Sequence, residues 1–185
     1  MQSWKWAKRL LFTLGLTVIL AGAGYWYAIS PHPSSAPPES AEGLLDRADT
    51  LSWGNQWAEA KPLYMKAEQL YMYEGKRSKA LYARASQIPP DESTSVPKKI
   101  LRLTEFLATP DAQDPETKLR ILTIRGMLET NYDGSQARST WMTVQNLALH
   151  LHHGQLATRA IGEQGIAAFI LGDIETAKKQ VLKAW

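Results

Sequence analysis

The sequence predicts an all-α fold, an N-terminal transmembrane helix followed by an α-solenoid of about four antiparallel helix hairpins. Three observations predict it. Leu10–Ile29 form twenty consecutive uncharged, mostly apolar positions. Beyond residue 41 apolar side chains recur at helical spacing, and no window alternates with the period of a strand. Short turn segments separate these runs, and short connections force neighbouring helices to be antiparallel. A chain of 185 residues suffices for one domain with a real core plus a leader.

The leader reads as an export and anchoring device. At about 1.5 Å per residue, residues 10–29 span a hydrocarbon layer of about 30 Å. Nine of the twenty are Leu, Ile, Val or Phe, contributing about −3 to −5 kcal/mol toward insertion. Trp4 and Trp6 precede the run and Tyr25, Trp26 and Tyr27 close it, as interfacial aromatic belts do. Lys5, Lys8 and Arg9 precede the span and no basic residue follows it until Arg47, so residues 1–9 are expected in the cytoplasm and everything past residue 30 outside. The alternative is a signal peptide cleaved after Ala21-Gly22-Ala23. Both readings export the domain. Residues 30–40 hold four prolines and four serines, the composition of an extended spacer.

Charge argues against nucleic acid. Residues 1–38 carry three basic side chains and no acid, and the remaining 147 carry 18 basic and 18 acidic ones. The basic balance belongs to the leader, and no clustered basic face remains to displace counterions from a polyanion. There is no cysteine, which excludes disulfides, thiolate metal sites and cysteine nucleophiles.

Eight helical segments are predicted in residues 41–185, near 42–54, 56–73, 76–88, 96–109, 115–131, 136–152, 155–171 and 174–185. Asp114-Pro115-Glu116 supplies a capping acid, a proline at the first helical position and an acid in the first turn. Ser95 before Val96-Pro97 has a similar role. Gly154 and Gly172 are expected at helix ends with positive φ, and Asp173 is expected to cap the helix after Gly172. Ile100, Leu103 and Leu107 share one face, and Ile121, Ile124 and Leu128 another. Residues 88–94, with Pro89-Pro90, form the longest interruption, read either as a loop on the solenoid surface or as a break between two subarrays.

Two stretches repeat one another. Gly54-Asn55 is followed by Trp57, Ala60, Tyr64 and Ala67, and Gly172-Asp173 by Ile174, Ala177, Val181 and Ala184. The preceding helices carry Leu44, Ala48 and Leu51 in one case and Ile161, Gly165 and Ala168 in the other. A looser unit has Ile121, Ile124 and Leu128, then Ala137, Trp141 and Val144. This pattern resembles the tetratricopeptide repeat, a helix–turn–helix unit of about 34 residues. The resemblance covers residues 41–73 and 155–185 well, 115–152 fairly and 76–109 by position only. A closing proline is missing at Met72, and Ala137 and Ala177 are forty residues apart, so the helices are longer than the family's or the array is irregular. The resemblance implies a right-handed solenoid with small residues where paired helices approach, and a concave groove lined by the first helix of each hairpin. In that groove it places Asp49, Ser52 and Trp53 from the first unit, and Arg159, Ile166 and Phe169 from the last. Trp53 and Phe169 are the expected peptide anchors, since large aromatics dominate binding energy; the alternative is that both pack against neighbouring hairpins.

Other candidates read as structure. Gly162-Glu163-Gln164-Gly165 lacks the following lysine of a phosphate loop and fits close helix packing. His150, His152 and His153 invite a metal reading, and His150 and His153 share a helix face, but no acid or further histidine lies nearby in sequence to complete a metal site. Tyr64, Tyr71, Tyr73 and Tyr82 with Met65 and Met72 are expected to pack the first hairpin against the second. No nucleophile–base motif is present. The expectation is therefore a scaffold, not an enzyme. It needs no cofactor or metal, is anchored in the inner membrane with a periplasmic repeat domain, and binds a protein or peptide in its groove. An apolar terminal hairpin without a polar capping helix raises a second expectation. In it, the repeat domain is truncated at residue 185 and belongs to a larger protein, such as a caspase-like peptidase or a signalling protein. A carbohydrate- or lipid-binding domain is the third class.

Overall fold

The computed structural model describes residues 39–184, so the expected anchor at 10–29 and most of the spacer lie outside the described residues. Among the described residues no helix is long and apolar enough to cross a membrane, and all regular structure is helical. The helices are α1 (Ala41–Trp53), α2 (Trp57–Tyr73), α3 (Arg77–Ala85), α4 (Val96–Leu107), α5 (Pro115–Thr130), α6 (Gly134–His150), α7 (Gly154–Ile170) and α8 (Ile174–Ala184). A 3-10 turn, Pro110–Gln113, precedes α5.

Local chemistry sets these limits. Ser40 caps α1 by accepting from the Gly43 amide at 3.1 Å, and Asp114 caps α5 by accepting from the Thr117 amide at 2.9 Å. Asp173 accepts from the Thr176 amide at 3.1 Å, and the Thr176 hydroxyl, with that amide second, holds its carboxyl below the usual carboxylate range. Ser95 precedes α4 but makes no side-chain cap, a departure from the expected role.

Four of the connections are the same turn. Gln56, Lys76, His153 and Asp173 each return an amide to the carbonyl five residues earlier, at Leu51, Tyr71, Ala148 and Ala168. That bond requires a left-handed residue just before it. Asn55, Gly75, His152 and Gly172 occupy those positions with φ of 61°, 73°, 62° and 79°. Gly172 was expected there. Gly154 was not the residue used: it opens α7, and His152 takes the positive φ instead. The position is fixed by counting from the last turn of α6, two residues before the glycine.

Sequential helices pack against one another at both ends of the array, through Ala48, Ala60 and Ala67 in the first hairpin and Ala157, Ala160 and Ala167 toward the last. Ala60 is fully buried and Ala177 nearly so. At Gly165 a methyl group would stand 3.1 Å from Val181 Cγ2 and 3.2 Å from the Ala177 carbonyl oxygen. The small residue sets the approach of α7 and α8, so Gly165 is a packing residue.

The middle departs from the predicted scheme. The segment expected as 76–88 stops at Ala85, and α3 lies mainly against α2 and α5, with only marginal contact to α4. Residues 76–109 therefore do not form a close hairpin. Ile88, Leu103 and Ala112 fill a separate core with Leu81, Ile121 and Ile124, so the interruption at 88–94 is partly buried and not a simple surface loop. Tyr64 and Tyr71 are buried as expected, whereas Met65, Met72 and Tyr73 are exposed.

Candidate binding groove

The first, third, fifth and seventh helices converge on one cavity of about 450 Å³. It receives Asp49, Ser52 and Trp53 from α1, Tyr82 from α3, Glu116, Arg120 and Thr123 from α5, and Arg159 from α7. Trp57 enters from the start of α2, and His152 and His153 enter from the turn before α7. Alternation follows from the hairpin topology: every second helix returns to the same side of the array.

Arg120 organises this wall. Its Nε donates to Ser86 Oγ at 2.8 Å, and its Nη2 donates to Tyr64 Oη at 2.6 Å and Ser52 Oγ at 3.1 Å. Asp49 Oδ1 lies 3.4 Å from the same Nη2. The Asp49 carboxylate accepts the hydroxyl protons of Tyr64 (2.6 Å) and Tyr82 (2.8 Å), one on each oxygen. The guanidinium carbon also lies 5.5 Å from the Trp57 ring, 5.6 Å from that of Tyr64 and 5.4 Å from that of Tyr82, within cation–π range. Burial opposes the charge on Arg120, but the ring oxygens of Tyr82 and Tyr64 and the Asp49 carboxylate more than offset it. Burial also pushes the Tyr64 and Tyr82 hydroxyls well above their ordinary range, with the Asp49 charge adding to the effect.

The rim has its own pairs. His153 Nε2 lies 2.9 and 3.0 Å from the two carboxylate oxygens of Glu116. Arg159 stacks over the Trp53 ring at 5.1 Å, with its Nε 3.6 Å from Glu163. Four of the six residues expected in the groove, Asp49, Ser52, Trp53 and Arg159, thus share one cavity. Ser52 is buried in the Arg120 network, whereas Trp53 is 52% exposed. Ile166 lines a second, shallower cavity of about 340 Å³ with Val181 and Ala184, which Arg159 also borders. Phe169 is 65% exposed and lines neither cavity.

Sequence reasoning missed Arg120, Trp57, Tyr82 and Glu116 as groove residues. Little in the local sequence marked Arg120, which stands between Lys118 and Arg125 in a helix of mixed apolar and basic residues. No family model, no curated protein and no solved structure matches the chain.

Proposed function

We propose that this chain is a helical-repeat scaffold, exported and tethered by residues 10–29, that captures a peptide or protein segment in the groove of α1, α3, α5 and α7. The reading extends to a right-handed, tetratricopeptide-like array with a periplasmic domain, and it assigns the chain binding without catalysis. One observation carries it: alternate helices far apart in sequence contribute polar and aromatic side chains to a single cavity of about 450 Å³. A concave site with convergent polar groups beside aromatic walls is the ordinary setting for oriented ligand binding, and this one is more polar than most. Trp53 supports it further, as a large, half-exposed aromatic already oriented by Arg159 at the rim.

The test is affinity capture by the full chain in non-ionic detergent, compared with its Trp53→Ala and Phe169→Ala variants. A partner recovered by the parent and by Phe169→Ala, and reduced at least about tenfold by Trp53→Ala, supports the groove. Equal recovery by all three proteins would overturn it.

A further inference from the structure

Arg120 has more donors than the protein uses. A guanidinium carries five N–H groups. The Nε proton goes to Ser86 and the two Nη2 protons to Tyr64 and Ser52. Among the described residues Nη1 has no hydrogen-bond partner, although the side chain is only 10% exposed and lines the cavity. A permanently charged group with two unused donors is therefore held, nearly buried, in the wall of an open groove.

The groove's own acids leave the Nη1 edge open, although Asp49 faces Nη2 at 3.4 Å. Asp49 has each oxygen occupied by a tyrosine hydroxyl. Glu116 stands four residues before Arg120 on α5, the spacing at which a carboxylate and a guanidinium ordinarily pair. Both its oxygens are instead within hydrogen-bond distance of His153 Nε2, from the turn before α7.

We infer that the Nη1 edge of Arg120 is a carboxylate-binding subsite in the groove, kept open because His153 holds Glu116 away from it. The inference deepens the peptide-groove reading and rests on it for the source of the carboxylate. The chemistry selects a monoanion. The two Nη1 protons diverge and the neighbouring Nε and Nη2 protons are taken, so a carboxylate is met by a single charge-assisted N–H···O bond, about twice as strong as a neutral one, and not by a bidentate fork. A phosphate dianion would bring twice the charge toward Asp49 and Glu116, which line the same cavity.

Small probes test the subsite without requiring a natural ligand. The full chain, labelled with nitrogen-15 in non-ionic detergent micelles at constant ionic strength, is titrated with N-acetylglycine, the amide of N-acetylaspartate, neutral N-acetylglycinamide and inorganic phosphate. The first carries a terminal carboxylate and the second only a side-chain carboxylate, so their ranking separates the two sources. The Arg120 Nε and Trp57 indole resonances are expected to shift saturably with at least one carboxylate. The expected Kd is on the order of 10–100 mM, the scale of one charge-assisted contact. The neutral amide is expected to leave them unmoved. Glu116→Gln tightens binding about twofold and His153→Ala weakens it about twofold, the scale of one helical charge pair. The double variant behaves as Glu116→Gln alone, because His153 then has no carboxylate to restrain.

Absence of a saturable shift, an equal response to the neutral amide, or tighter binding of phosphate would overturn the inference. So would a His153→Ala effect that persists unchanged in the Glu116→Gln background. If carboxylates bind as expected while Trp53→Ala captures partners as well as the parent does, the subsite stands and the peptide-groove reading fails.

Discussion

Arg120 in α5 donates from Nη2 to the phenolic oxygen of Tyr64 in α2 at 2.6 Å, joining residues 56 positions apart. The same guanidinium reaches Ser52 in α1 and Ser86 just after α3, so one side chain ties α5 to α1, α2 and the end of α3. It does so in the irregular middle of the array, where α3 and α4 do not form a close hairpin. Specific polar bonds there accompany the small-residue packing found at the ends.

Removing that clasp strands its partners. Arg120→Met leaves the Asp49 carboxylate without its counter-charge and Ser52, Tyr64 and Ser86 without a donor. The expected loss is about 2–3 kcal/mol, below that of a fully buried pair because Asp49 is partly exposed. Denaturant unfolding followed by helical circular dichroism measures it. Asp49→Asn added to Arg120→Met is expected to cost less than the two single changes summed. Strict additivity would separate Asp49 from the network.

The tyrosines give the network a pH signature. Tyr64 and Tyr82 donate neutral hydroxyls to Asp49, and their folded pKa values are raised above the ordinary value near 10. Above that pH the unfolded chain loses protons that the folded chain keeps. The stabilisation is therefore complete below about pH 10 and falls as pH rises beyond it, by about 1.4 kcal/mol per pH unit for each retained proton. Absorbance titration near 295 nm should show at least these two tyrosines ionising only as helical signal is lost. Ionisation of all seven tyrosines in one step near pH 10, with the helix intact, would contradict this.

Close packing at the α5–α6 crossing is equally exposed to test. A methyl group on Gly126 would stand 2.9 Å from Cε2 of the fully buried Trp141. The indole cannot retreat freely, because its Nε1 donates to Thr130 Oγ1 at 3.0 Å. Gly126→Ala is expected to destabilise the protein by about 1–3 kcal/mol in thermal or denaturant unfolding. A neutral outcome would mean that the crossing tolerates a wider separation.

Much of the architecture was legible in the sequence because its determinants are local. Apolar spacing located every helix, and Asp114-Pro115 marked the start of α5. Alanines at repeated offsets located the tight crossings, with Ala60 and Ala177 both turned inward. What failed was non-local. Nothing near residues 76–109 revealed that α3 would prefer α5 to α4, since that choice depends on Ile121 and Ile124 filling the core beneath it. The groove divided along the same line. Asp49, Ser52, Trp53 and Arg159 share one cavity, whereas Ile166 and Phe169 lie outside it. Arg120 reads in sequence as one more solvated charge. Its burial is created by Ser52, Tyr64 and Ser86, between 34 and 68 residues away.

Export and tethering have a direct assay because the chain lacks cysteine. Single substitutions Ser3→Cys and Ser35→Cys flank the apolar run without altering charge. In intact cells, with the outer membrane permeabilised, a membrane-impermeant maleimide is expected to label position 35 and to spare position 3 until the cells are lysed. Labelling of both, or of neither, before lysis would contradict an anchor with its N-terminus inside. Loss of position 3 from the mature chain would indicate cleavage instead.

Position-specific photo-crosslinking tests the groove most directly. A photoreactive side chain at Trp53 or Gln155 lies on the rim of the cavity, whereas one at Lys98 or Lys179 is exposed elsewhere. Irradiated cells are expected to yield a discrete adduct from the two rim positions and none from the two outlying ones. Adducts of equal yield at all four positions, or adducts confined to Lys98 and Lys179, would contradict a ligand held between α1, α3, α5 and α7.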